Sequence, residues 1–180
     1  AGKLRLETAP FDLEDAVCDV ADLMRARAAE KGLELSVRVA PTLPRRLIGD
    51  VGRLRQVLFN LIGNAVKFTA VGHVHIDVDG SCSEQDARLR IQVEDTGVGV
   101  PADRRHLLFQ MFSQADASTT RKFGGTGLGL VISRTIVEHM GGQIAFQDNP
   151  SGGSVFTIEL TAPIEAAPSS PPLVGLGKRA

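Results

Sequence analysis

Apolar residues recur at helical spacing from Phe11 to Lys31, where Leu13, Val17, Val20, Leu23 and Met24 share one side and Gly32 stands ready to stop the helix. Alternation then takes over. Leu33, Leu35, Val37 and Val39 interleave with polar residues up to Pro41, the period of a half-buried strand, and the turn-rich PTLPRR follows. A second helix is predicted from about Asp50 to Phe68, with Asp50 as its N-cap. Val74, Ile76 and Val78 predict a strand, SCSEQDA a loop, and Leu89, Ile91 and Val93 a partner strand ending at Glu94-Asp95, so the two form a hairpin. Between Thr96 and Gly129 lies a glycine-rich, polar stretch enclosing a short helix candidate, HLLFQMF, and this stretch is expected to be mobile. A helix from about Leu128 to Met140 is stopped by Gly141-Gly142, and strands over Gln143–Gln147 and Ser154–Leu160 close the pattern. Five strands, three long helices and antiparallel hairpins predict two layers, with helices on one sheet face and the other face open to solvent or a partner.

The stretch NLIGNAVKFT, Asn60 to Thr69, breaks the economy of a helix. On a wheel of about 100° per residue, Leu54, Leu58, Leu61 and Ala65 form the apolar stripe, while Asn60, Asn64 and Lys67 make one polar row beside it. A solvated face is normally built from Glu, Lys, Gln or Arg, because Asn costs up to about 0.7 kcal/mol relative to Ala and Gly about 1 kcal/mol. Amide oxygens suit a hard cation such as magnesium, and an ammonium arm suits phosphate. The row therefore reads as a metal and triphosphate wall.

Two glycine-rich segments extend that reading. EDTGVGV sets the Asp95 carboxylate at a strand end, followed by Gly97 and Gly99 where backbone can approach a ligand. GGTGLGL, Gly124 to Leu130, opens a helix whose first amides can receive phosphate oxygens. It is no Walker A loop, since no Lys-Ser or Lys-Thr follows the glycines, and no strand precedes it as a dinucleotide fingerprint requires. An aspartic-protease reading of Asp-Thr-Gly lacks its second carboxylate.

Composition adds mainly exclusions. The chain has 180 residues, 43% of them hydrophobic, and a formal charge of −1, which suits one domain with a real core and gives no reason to expect nucleic acid. No run of about eighteen apolar residues offers a membrane span. Cys18 and Cys82 stand apart without metal-ligand spacing, so two reduced thiols are expected. The Ala-Gly start without methionine suggests an excised fragment.

Taken together and in order, RQVLFNLIGNAVKFT, EDTGVGV, LLFQMFSQAD and RKFGGTGLGL closely resemble the N, G1, F and G2 boxes of the catalytic ATP-binding domain of sensor histidine kinases. The STTRKFGGTGLGL form is most similar to hybrid kinases. The resemblance implies an α+β two-layer sandwich of the Bergerat kind, in which a five-stranded mixed sheet carries three helices on one face and a flexible lid closes over ATP. It implies residues 1–9 as a lead-in from a helical hairpin, 10–162 as the catalytic domain and the Pro-rich residues 163–180 as a linker. By the same resemblance, Asn64 ligates Mg2+, Asn60 lines the same wall one turn earlier, and Lys67 reaches phosphate, with Asn64 and Lys67 carrying catalysis. Asp95 accepts from the adenine amino group, Gly97 and Gly99 let the chain pass the base, and Phe68 either stacks on the base or packs in the core. Arg121 and Lys122 in the lid meet phosphate or are solvated loop charges. Gly125, Thr126, Gly127, Leu128 and Gly129 match the G2 box, and Phe109 and Phe112 pack the base of the lid.

The resemblance also implies a missing partner. None of His73, His75, His106 or His139 has the phosphoacceptor context, so the γ-phosphate is expected to go to a histidine on a separate dimerisation domain of the parent kinase, then to a receiver domain. A cytoplasmic location is implied, without direct membrane contact from this segment, for a parent that can be anchored in the inner membrane. Two alternatives stand beside this. One is a self-contained ATPase of the gyrase or heat-shock chaperone type, which would use a glutamate where Asn60 stands, and an amide cannot serve as general base. The other is a degenerate nucleotide-binding regulatory module.

Overall fold

The computed structural model describes residues 5–110 and 128–166. Expectations that fall on 111–127, namely the lid, Phe112, Arg121, Lys122 and the first part of the G2 box through Gly127, lie outside the described residues, as does the segment beyond 166.

Strand β1 (Ala9–Asp12) leads into helix α1 (Leu13–Glu30), followed by β2 (Glu34–Val39), β3 (Arg46–Gly49) and helix α2 (Val51–Phe68). The hairpin β4 (His73–Cys82) and β5 (Asp86–Asp95) comes next, then a single 3-10 turn at Arg105–Leu107. Helix α3 (Gly129–His139) and strands β6 (Gln143–Asp148) and β7 (Ser154–Pro163) complete the fold. The main sheet has the order β2-β4-β5-β7-β6, with β2 parallel to β4 and every other pair antiparallel. It is the five-stranded mixed sheet expected, with three helices against it. A second, two-stranded sheet joins β1 to β3.

Alternation builds the layers. Val74, Ile76 and Val78 of β4, Leu89, Ile91 and Val93 of β5 and Ile158 of β7 are all buried in one core with the apolar stripes of α1 and α2. Their neighbours in sequence point the other way and form a polar face in which Arg38 pairs with Asp77 at 2.8 Å and Ser36 Oγ meets His75 Nδ1 at 2.7 Å. Ion pairs exposed like this contribute little, so the apolar layer is what holds the helices on the sheet.

Several element boundaries differ from the sequence reading, each for a local reason. The first helix begins at Leu13 because Phe11 is spent on pairing with Leu47 and is 8% exposed, while the Asp12 carboxylate caps the helix by accepting from Asp15 N at 2.9 Å. The PTLPRR region ends in a strand for the same reason. The expected loop SCSEQDA shrinks to a tight turn, since Ser83 N donates to Asp86 O at 2.8 Å and the Asp86 amide returns a bond to Ser83 Oγ at 3.1 Å. In HLLFQMF the described residues form only the 3-10 turn and the turns after it. Strand β7 runs through Pro163, and Ile164 bridges to Leu47. Helix α2 starts as expected, with Asp50 Oδ1 accepting from Arg53 N at 3.0 Å.

Among the described residues, Cys18 and Cys82 are free thiols, and no helix is long and apolar enough to cross a membrane.

Candidate functional site

Helix α2 is the spine of the site. Its polar row does not face open solvent: Asn60, Asn64 and Lys67 are half-buried and line one cavity of about 670 Å³ between α2, the end of α1 and the start of α3. Gly129, the first residue of α3, sits so close that a Cβ there would come within 2.2 Å of Asn60 Oδ1. The Asn60 amide is oriented from the far side as well, because Nδ2 donates to Ser133 Oγ at 3.0 Å and Ser133 is 2% exposed. The glycine of the G2 pattern at 129 is thus a contact glycine, chosen for the approach of α3 to α2.

At the C-terminal end of α2 the strand β5 delivers Asp95, which is 6% exposed. Its Oδ1 accepts two amides, Gly97 N at 2.9 Å and Ser154 N at 3.2 Å. Oδ2 accepts none among the described residues. Since no fully buried side-chain nitrogen or oxygen there lacks a partner, Oδ2 is reachable from outside. Burial pushes the Asp95 carboxyl above the ordinary carboxylate range, the two amide donors pull it back, and the neighbouring charge of Glu94 pushes it up again. The result is a desolvated carboxylate with one lone-pair edge free.

Gly97 passes directly over the helix end. A Cβ at 97 would lie 2.4 Å from Phe68 O and 2.9 Å from Thr69 Oγ1, so any side chain would force the loop off α2. Gly99 takes φ +69°, where L side chains are strained. Phe68 is half-buried, with Lys67 Nζ 5.4 Å from its ring centroid. Lys31 Nζ donates to Val66 O at 2.6 Å and Lys67 O at 3.0 Å, satisfying carbonyls that the helix end leaves open.

Gly97 thus follows the polar row at the C-terminal end of α2, Gly99 packs against Gly153, and Gly129 stands across from Asn60. Phe109 packs edge-on to Phe156 with centroids 6.4 Å apart and lies under the Arg134 guanidinium at 5.9 Å, as expected of a packing residue. His73 and His75 lie on β4 with their side chains on the polar face of the sheet, and His139 Nδ1 is 2.8 Å from Thr135 O at the end of α3. Sequence reasoning missed Ser133, Asn149, Gly153 and Ser154. The only signal for Asn149, Gly153 and Ser154 was the turn-rich NPSGGS between two strands, which says that the chain reverses and not what it reverses against, and Ser133 in α3 had none.

The cavity lined by Asn60, Asn64 and Lys67 does not take in Asp95, Gly97 or Gly99, which stand at the glycine turn packed on the end of α2. Residues 49–164 match the family described as histidine kinase-, DNA gyrase B- and HSP90-like ATPase, and the chain belongs to that family. It is similar to the sensory/regulatory protein RpfC of Xanthomonas campestris, 48% identical over 162 residues that make up 89% of this chain and 22% of that protein. The signal transduction histidine-protein kinase BarA of Escherichia coli is 45% identical over 87% of this chain and 17% of its own length. The chain thus spans about a fifth of these relatives. Full-length ShkA, crystallised in complex with AMPPNP, superposes with a TM-score of 0.77 at 37% identity, covering 93% of this chain and 34% of that one. Within the family, the fold and relatives are those of the catalytic ATP-binding domain of sensor histidine kinases.

Proposed function

We propose that this chain binds Mg-ATP along α2 and donates the γ-phosphate to a histidine on a separate dimerisation domain of its parent kinase, from which the phosphoryl group passes to a receiver domain. One observation carries the reading: the buried Asp95, with Oδ1 held by two amides and Oδ2 free, is built to accept from an exocyclic amino group. Adenine offers that donor and guanine an oxygen, which makes the site adenine-selective. Gly97 lets the loop that carries Asp95 pack directly on the end of α2, which fixes where the base would be read.

The remaining residues suit the triphosphate. Asn64 supplies a hard oxygen for Mg2+, and magnesium sites commonly combine one or two protein oxygens with phosphate and water. Bound magnesium would neutralise phosphate charge. Lys67 adds a positive charge beside it, and Lys122 with the G2-box residues Gly125, Thr126, Gly127, Leu128 and Gly129 would receive phosphate through charge and backbone amides. Asn60 holds that helix against α2 and offers no base for water, which favours transfer over hydrolysis. Phosphoryl transfer needs positioning and charge neutralisation more than covalent help, and these residues supply both. The location proposed is the cytoplasm, for a parent that can be anchored in the inner membrane.

Radiolabelled Mg-ATP, with and without the histidine-bearing hairpin of the same parent, tests the whole reading. The chain alone is expected to turn ATP over very slowly and to carry no acid-labile label, while the added hairpin becomes labelled. Transfer in trans will be weak, because the tether that raises effective concentration to about millimolar is missing. Label on this chain alone, or rapid phosphate release without a partner, would overturn the assignment.

A further inference from the structure

We infer that Asn149, outside every motif of the site, is a positioning residue for adenine recognition, acting through Asp95; the inference rests on the function proposed above. Asn149 sits in the β6–β7 turn and is 7% exposed. Its Nδ2 donates to Asp95 O at 2.9 Å and to Glu94 Oε1 at 3.1 Å, and its Oδ1 accepts from Ser151 N at 3.1 Å. The turn closes on its backbone, with Asn149 N donating to Gly153 O at 3.1 Å and Gly152 N donating to Asn149 O at 2.9 Å.

That clip has a direct consequence at the site. It presses Gly153, at φ +99°, so near Asp95 that a Cβ would lie 2.1 Å from the Asp95 carbonyl oxygen and 2.8 Å from Oδ1. Only then can Ser154 N reach Oδ1 at 3.2 Å. With Ser154 and Gly97 both on Oδ1, the carboxylate cannot rotate, and Oδ2 is left as the free acceptor. A turn far along the chain thus sets the orientation of the base-reading group. Donor loss would also remove one of the two bonds that favour the ionised carboxylate.

The test compares ATP and magnesium tripolyphosphate, which has no base, by calorimetry across pH for the unaltered chain, Asn149→Ala and Asn149→Ser. Serine keeps a turn-capping oxygen but is too short to reach Glu94 and Asp95 O, so it covers the case in which alanine does not fold. The expected result is ATP binding weakened about tenfold, the worth of one well-placed charged hydrogen bond. Tripolyphosphate affinity should not change, and the acid limb of ATP binding should move to higher pH. Unchanged ATP affinity and an unmoved acid limb in a folded variant overturn the inference. So does equal weakening of both ligands, or failure of both variants to fold, since each makes Asn149 structural only. Absence of ATP binding in the unaltered chain would instead bring down the proposed function first, and it is visible without any substitution.

Discussion

Asn60 Nδ2 donates to Ser133 Oγ at 3.0 Å, a bond that ties the middle of α2 to α3 across 73 positions of sequence. Ser133 is buried and Asn60 half-buried on the cavity wall, so the serine hydroxyl depends on the amide more than the amide on it. Ser133→Ala removes that bond and should cost about 0.5–1.5 kcal/mol, its net worth, because the half-buried Asn60 amide can turn to water in the cavity it lines. Urea unfolding of Ser133→Ala, Asn60→Ala and the double variant measures it, and the double variant should lose less than the two singles summed.

Asp95→Asn keeps an oxygen for the amides of Gly97 and Ser154 but presents a donor where Oδ2 was free. ATP affinity should fall by about 1.5–3 kcal/mol, roughly tenfold to a hundredfold, in a variant that still folds. Unchanged affinity in a folded variant removes Asp95 from the site.

The pH dependence of stability and of affinity should run in opposite directions at Asp95. Burial raises its carboxyl above 3.8, so the protonated form is favoured by the folded state. Its contribution to stability is full below the unfolded value and is lost as pH rises through the folded one. Recognition of the amino group needs the ionised form, so affinity should rise over that same window. Thermal unfolding and ATP titration over the acid range check both halves, and Asp95→Asn should flatten each.

Gly97→Ala would place a methyl group 2.4 Å from Phe68 O, which is backbone at a helix end and cannot step aside. The loop must lift from α2, costing about 1–3 kcal/mol of stability and displacing Asp95 from its donor. Denaturant midpoints and ATP affinity should fall together. A variant with both unchanged would show that the loop has room to spare.

Asn64→Ala should erase the increment that magnesium adds to ATP binding while leaving metal-free ATP binding within about twofold, because only an oxygen ligand has been removed. Calorimetry with magnesium and with a chelator separates the two. Retained magnesium dependence would move the metal ligand elsewhere.

Much of this protein is readable from the order of its residues alone. Alternation in β4 and β5 and helical spacing in α1 and α2 mark the layers, because burial on one side of a regular element imposes its own period on the sequence. The row of Asn60, Asn64 and Lys67 on one helix face was legible from its spacing, and two asparagines with Gly63, all costly in a helix interior, marked it as unusual. Asp95, Gly97 and Gly99 were legible because a strand end and a glycine turn are local events. What tertiary structure alone decided is the set of long-range partners. Phe11 looks helical until Leu47 arrives as its strand partner, and Ser133 is an ordinary helix residue until Asn60 meets it. Asn149 and Ser154 carry no local mark of their tie to Asp95, more than fifty residues earlier. A hydrogen bond between distant residues leaves no periodicity in either segment, so only the folded chain, where β7 is laid against β5, brings donor and acceptor to the same place.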